Sequence, residues 1–315
     1  MGLDLDTIRA AHERIRPYIQ RTPVLTSSLL DEASRASLFF KCENFQKIGA
    51  FKARGATNAV FSLDEAIARR GVATHSSGNH GVAVARAAKL RGIPAHVIMP
   101  SNSAKVKIRA VEGYAAYVVF CEPTEKAREE KCAEVIEKTG AALIHSFENE
   151  HVIAGQGTAA VELLEDVPEL DVLMCPVGGG GLLSGTAIAT KSMRPRIEVV
   201  AVEPENVDDA AQSFRAGRRI VTKKKFTIAD GLRTNIGEPN FVIVQRHVDD
   251  IVTVSEEAIV SAMRTIWETM KIIIEPSAAV PYAAIVEERI NIAGKRTGVI
   301  LTGGNVDLDA LPWNL

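Results

Sequence analysis

Residues 71–100 read GVATHSSGNHGVAVARAAKLRGIPAHVIMP. Gly71–His75 is apolar and β-branched enough for a strand. After Asn79 a stripe of Val82, Ala85 and Ala88 recurs at helical spacing, and Ala95–Met99 is a second short apolar run that stops at Pro100. Strand, helix and strand within thirty residues make a β-α-β unit, whose two strands must run parallel. The polar string Ser76-Ser77-Gly78-Asn79-His80-Gly81 falls at the carboxyl end of the first strand, where open α/β sheets bind ligands.

The same alternation extends in both directions. A helix is expected over 4–20 and another over Ala56–Leu63, with strands at Ser37–Cys42, 115–120, Ala142–His145, Val172–Pro176, Glu198–Val202, Ile251–Val254 and Gly298–Leu301. Further helices are expected near 103–112 and over 124–139, the latter opened by Pro123-Thr124. The pattern predicts an α/β protein with mostly parallel sheets and helices on both faces. Residues 67–146 are expected to form a small lobe inserted into a larger one made of 1–66 and 147–315.

Composition excludes several classes. Of 315 residues, 46% are hydrophobic and 24% charged, which is ordinary for a globular chain. Lys plus Arg is 37 against 39 Asp plus Glu, so no basic field draws in nucleic acid or an anionic membrane. The charged start MGLDLDTIRAAHERIRPYI lacks a signal-peptide core, and Asp6 occupies the place where a myristoylation motif needs Ser or Thr. Cys42, Cys121, Cys132 and Cys175 are dispersed, which fits reduced thiols in a cytoplasmic protein.

Three further turns carry chemistry. Gly178-Gly179-Gly180-Gly181 and Leu182 follow the apolar strand VLMCP and precede an apolar helix. Bare backbone at a helix N-terminus forms an anion cradle suited to phosphate. It is not a dinucleotide fingerprint, because the last glycine position falls on Leu183 or Ser184. Nor is Gly294-Lys295-Arg296 a Walker motif. Lys52, next to Phe51 at an apolar helix start, is placed where desolvation makes an amine nucleophilic. Thr302-Gly303-Gly304-Asn305 closes the last strand. In the polar turn already quoted, the hydroxyls and amide of 76–81 suit a carboxylate.

Together, ENFQ at 43–46, FKARGA at 51–56, SSGNHG at 76–81, AGQGT at 154–158, PVGGGG at 176–181, IADG at 228–231, EPSA at 275–278 and GGNVD at 303–307 resemble the pyridoxal-phosphate enzymes of the tryptophan-synthase β-subunit fold (fold type II). Within these the sequence is most similar to the serine/threonine dehydratases and serine racemases. The resemblance implies a two-lobed fold and a homodimer. It implies that Lys52 forms the Schiff base with the cofactor, with Phe51 against the pyridine ring, Asn79 on its phenolic oxygen and Thr302 at its nitrogen. Gly178, Gly179, Gly180, Gly181 and Leu182 would hold the phosphate. Ser77 would stand opposite Lys52 as a second catalytic base, and Ser76, Ser77, Asn79 and His80 would bind the substrate carboxylate. It also implies a Mg²⁺ site (or Ca²⁺ or Mn²⁺) on Glu203, the Val207 carbonyl and Asp209. Read without the resemblance, EPENVDD is an acidic helix start.

Two features bear on substrate. Gly49-Ala50-Phe51-Lys52 resembles the 3-hydroxyaspartate dehydratases of the group, and Arg128 matches an arginine that reaches towards the pocket in related racemases. The expected reaction is therefore dehydration of 3-hydroxyaspartate to iminosuccinate, and then to oxaloacetate and ammonia. L-threonine/L-serine dehydratase and serine racemase are the alternatives. A non-catalytic pyridoxal-phosphate carrier and a nicotinamide oxidoreductase are more distant ones. GGNVD lies so near residue 315 that no C-terminal regulatory domain is expected.

Overall fold

A computed structural model of the chain describes residues 2–76, 78–103, 105–223 and 226–313. Ten strands occur among them: β1 (Val24–Leu25), β2 (Ser37–Cys42), β3 (Val72–Thr74), β4 (Ala95–Pro100), β5 (Tyr117–Cys121), β6 (Ala142–Leu143), β7 (Val172–Pro176), β8 (Glu198–Pro204), β9 (Asp250–Val254) and β10 (Arg296–Leu301). They form two sheets, β1-β2-β10-β7-β8-β9 and β5-β4-β3-β6. Every pairing is parallel except β1 with β2. β7 is buried along its whole length, as a parallel strand covered on both faces must be.

Several expected boundaries move. The first helix ends at Ile15, because Pro17 has no N–H to give the Glu13 carbonyl. The helix expected from Ala56 begins at Lys52. The helix Glu125–Thr139 is capped as its sequence suggests, the Thr124 hydroxyl accepting from the Ala127 N–H at 3.1 Å.

The helix Glu150–Asp166 was not anticipated, and it organises the centre of the molecule. It passes the helix Lys52–Phe61 at Gly155 and the helix Gly181–Met193 at Gly157. A Cβ on Gly155 would lie 2.6 Å from the Gly55 Cα, and one on Gly157 would lie 2.8 Å from the Gly185 carbonyl oxygen. The glycines of AGQGT are thus contact points between helices. One rod fixes both the helix that begins at Lys52 and the helix that begins at the glycine loop.

The first of these crossings is locked by buried charge. The Arg54 guanidinium, fully buried, binds Glu43 (2.7 and 2.8 Å) and Glu162 (2.8 and 2.7 Å). Lys41 shares Glu162 at 2.7 Å, and Thr22 donates to Glu43 at 2.6 Å. Every charge in the cluster has an opposite partner, which is the condition for keeping charge in a dry interior. Among the described residues no helix is long and apolar enough to cross a membrane.

Candidate active site

The site is assembled from the carboxyl ends of the strands and the turns that follow them. Residues 50–52 are sewn to the end of β10: Phe51 N–H donates to the Thr302 carbonyl at 3.0 Å, and Ala50 bridges Gly303. This holds Lys52 at the first position of its helix, where the Nζ donates to the Ser146 carbonyl at 3.1 Å and stands 5.0 Å from the Phe51 ring centroid. Burial pulls this amine down to about 8, although the Glu275 carboxylate opposes the shift. Such a lysine is largely protonated at neutral pH yet releases its proton readily, as a nucleophilic amine must.

The glycine loop is shaped by its neighbours. Gly180 has φ of +89°, a conformation that disfavours a side chain, and a Cβ on Gly179 would fall 2.3 Å from the Phe147 ring. The Gly179 carbonyl accepts from both Gly237 N–H (3.1 Å) and Asn240 Nδ2 (2.9 Å). In a trans peptide the N–H points away from the C=O, so the Gly180 N–H is aimed to the opposite side. Asn240 is itself held by the Ser184 hydroxyl at 3.0 Å. The result is a rigid cradle of bare backbone at the start of the helix Gly181–Met193, which fits a phosphate group.

The polar turn lies between β3 and the helix Asn79–Arg91. Gly81 must be bare, since a Cβ there would lie 2.2 Å from the Ser76 carbonyl oxygen. Ser76 accepts from Gly78 N–H at 3.3 Å. Ser77 lies outside the described residues. The His80 ring turns inward, its Nε2 3.0 Å from the Ile144 carbonyl, and burial followed by the Lys52 charge pulls its pKa down to about 3. It is therefore neutral, with its proton on Nε2, and its Nδ1 can only accept. What His80 can offer an anion is its backbone N–H in the first turn of the helix.

The sequence reading gave no role to Glu275, Asn305, Ser146, His145 or Asn240. Glu275 accepts from Asn79 Nδ2 (3.0 and 3.1 Å) and from Asn305 N–H (3.3 Å). Both residues stand in the quoted strings EPSA and GGNVD, but one sequence could not show that these strings meet.

A buried, acidified amine, a bare phosphate cradle and an amide-bearing turn converge here, and the chain matches the family described as pyridoxal-phosphate dependent enzyme over residues 15–303. The chain belongs to that family. The relatives below agree along nearly their whole lengths. It is 51% identical over 305 residues to a beta-hydroxyaspartate dehydratase of Paracoccus denitrificans, covering 97% of each chain. A maize serine racemase structure superposes with a TM-score of 0.96 at 46% identity, covering 100% of this chain and 97% of that one. A threonine deaminase structure from T.th. superposes at 0.92 with 42% identity, covering 97% and 99%. This pyridoxal-phosphate dependent enzyme therefore has the two-sheet, mostly parallel α/β fold of the serine racemases and threonine deaminases.

Beside Lys52 the site continues into a pair of imidazoles packed edge to face. Its carbonyl partner Ser146 follows His145, whose ring packs against His75 at 5.5 Å and Phe147 at 4.6 Å. Burial and then the Arg128 charge lower the His75 pKa. On the helix Glu125–Thr139, Lys126, Lys131 and Lys138 are each paired with Glu130 or Glu134. Among the described residues Arg128, partly buried, has no carboxylate within ion-pair distance.

At the far side of the six-stranded sheet, Glu203 and Asp209 are both fully buried. Glu203 caps the helix Asp209–Ala216, accepting from Ala210 N–H (3.1 Å) and Ala211 N–H (2.9 Å), so the acidic helix start is real. Asp209 accepts from Ile236 N–H at 2.7 Å. Burial, and then Asp209, push the Glu203 pKa well above the ordinary carboxylate value. Two adjacent buried carboxylates beside the buried Val207 form a donor set that fits a hard divalent cation completed by water. Among the described residues no cluster of three or more His, Cys, Asp or Glu side chains is arranged to hold a metal.

Proposed function

We propose that this enzyme is an ammonia-lyase that removes water from 3-hydroxyaspartate, giving iminosuccinate and, on hydrolysis, oxaloacetate and ammonia. The observation that carries the substrate is Arg128: a partly buried guanidinium without an acidic partner among the described residues, whose charge reaches His75 at the end of β3. A guanidinium left unpaired in this way is suited to bind a second carboxylate. Serine and threonine have none to offer. The Paracoccus relative, a beta-hydroxyaspartate dehydratase by name, supports the same reading.

Bound pyridoxal phosphate supplies an electron-withdrawing ring that stabilises negative charge at Cα. The residues of the chain divide the remaining work. Gly178 to Gly181 and the Leu182 N–H bind the phosphate, and Lys52 anchors the aldehyde and moves the Cα proton on its own face. Ser77 is assigned the opposite face. Ser76 and the backbone N–H groups of Asn79 and His80 orient the α-carboxylate. Thr302 would offer the ring nitrogen a neutral hydroxyl, which would hold a proton there less firmly than a carboxylate and so suit prompt loss of the β-hydroxyl. Glu203, the Val207 carbonyl and Asp209 would hold a divalent cation, which would supply positive charge beside the two buried carboxylates. The lobe of residues 67–146 closes over the substrate and excludes water.

The test is a substrate panel. Each isomer of serine, threonine and 3-hydroxyaspartate is offered, and ammonia and 2-oxo acid are measured. One 3-hydroxyaspartate isomer should exceed serine and threonine in kcat/KM by about tenfold or more, the worth of one charge-assisted contact. Preference for serine or threonine would overturn the substrate assignment.

A further inference from the structure

Glu275 occupies the N-cap of the helix Pro276–Val286, where a carboxylate ordinarily bonds the helix's own free N–H groups. It does not do so. Its side chain, 5% exposed, turns to Asn79 and Asn305 and packs so closely on Gly303 that a Cβ there would lie 2.6 Å from Oε1.

The orientation of the Asn79 amide follows from a chain of partners that starts at a main-chain carbonyl. The Ile48 carbonyl can only accept, so the Asn305 atom 2.8 Å from it is the amide nitrogen. That nitrogen also donates to Asn79 at 2.8 Å, so the Asn79 atom it meets is the oxygen. The Asn79 nitrogen therefore faces Glu275, an acceptor at both oxygens. Because it is nearly equidistant from the two, one N–H serves the carboxylate and the other is left for a second acceptor. The start of the chain is set by strain: Ile48 has φ of +61°, costly for a β-branched residue, and Gly49 follows at +69° with no room for a Cβ against Asn305 Oδ1 (2.7 Å).

We propose that Glu275 is a positioning residue that, with Asn305, turns the Asn79 amide so that an N–H and not the carbonyl is presented to the ring oxygen of the cofactor. This rests on the reading of Asn79 as a cofactor contact. A reversed amide would set oxygen against oxygen. Among the described residues, the charged groups that act on the Glu275 carboxylate are the Lys52 amine, Asp230 and Lys107. Burial and Asp230 raise its pKa to about 7 against the opposing pull of Asn79, Asn305 and Lys107, so the presented N–H is coupled to a group that titrates near neutrality.

The test compares wild type, Glu275→Gln and Glu275→Leu by cofactor titration of the apoprotein, by the position of the visible band and by the pH dependence of cofactor affinity across pH 7. In the Leu variant the cofactor Kd should rise about tenfold and the band should shift, as expected when a charge-assisted orienting bond is lost. The Gln variant, which still offers an oxygen to Asn79, should recover affinity to within about threefold but lose the component titrating near pH 7. A merely structural role would lower the melting temperature and leave the band and the titration in place. Wild-type band position and titration in the Leu variant would overturn the proposal. Should the Leu variant not fold, a Gln variant that keeps the component near pH 7 overturns it equally. A wild-type protein that takes up no cofactor overturns the functional reading and this one with it.

Discussion

Gly155 faces Gly55 across two crossing helices with no space for a side chain: a Cβ on Gly155 would lie 2.6 Å from the Gly55 Cα and 2.8 Å from the Arg54 carbonyl oxygen. Both clashes are with backbone, which cannot swing aside as a side chain can. Gly155→Ala should therefore push the helix beginning at Lys52 away from its support. Overpacking of this kind costs about 1–3 kcal/mol, which a thermal melt would read as a lower Tm. An unchanged Tm would show that the crossing is looser than described.

The Arg54 cluster makes a second stability prediction. Replacing Arg54 by Leu leaves Glu43 without its guanidinium and Glu162 with Lys41 alone. Stranding buried carboxylates in this way costs about 3–5 kcal/mol. Urea unfolding should show a loss in that range, and a loss below about 1 kcal/mol would mean that water reaches the cluster.

Much of the site was legible because its parts are strand-to-helix turns, which a single sequence displays as polar or glycine-rich interruptions of apolar runs. Gly178–Gly181, Ser76–Gly81 and Lys52 stand out as candidates in that way. Tertiary partners were not. Glu275 gives no local sign that it will decline its own helix for Asn79, because the two are 196 residues apart. The helix Glu150–Asp166 was hidden by Gly155 and Gly157, which weaken helix propensity and are present for close packing. The helix Pro276–Val286 was hidden by uniform apolarity and by Pro281 within it, so no amphipathic period could show.

The depressed Lys52 amine has a pH signature. Only the neutral amine attacks an aldehyde, and this one is neutral above about 8, where an ordinary lysine stays charged to about 10.4. The rate of covalent cofactor capture by apoprotein should rise about tenfold per pH unit below that point and level off above it. A rate still climbing at pH 10 would place Lys52 in water.

Arg128→Ala should raise KM for 3-hydroxyaspartate at least about tenfold while changing serine turnover less than about twofold, since only the former offers a second carboxylate. Steady-state kinetics on both substrates decides it, and equal losses would remove Arg128 from substrate recognition.

Chelation tests the buried acidic pair. Stripping divalent cations from the protein should lower its Tm by several degrees, because a cation shared by the two buried carboxylates of Glu203 and Asp209 stabilises the folded state that holds it, and Mg²⁺ should restore it. A Tm indifferent to chelator and to Mg²⁺ would leave Glu203 as a helix cap alone.

The central claim is that the side chain of Lys52 carries the cofactor. Holoprotein reduced with borohydride, denatured and digested should yield one peptide bearing a pyridoxyl group, attached at Lys52. Label on another lysine, or no label in protein that shows the cofactor's visible absorbance, would contradict the account.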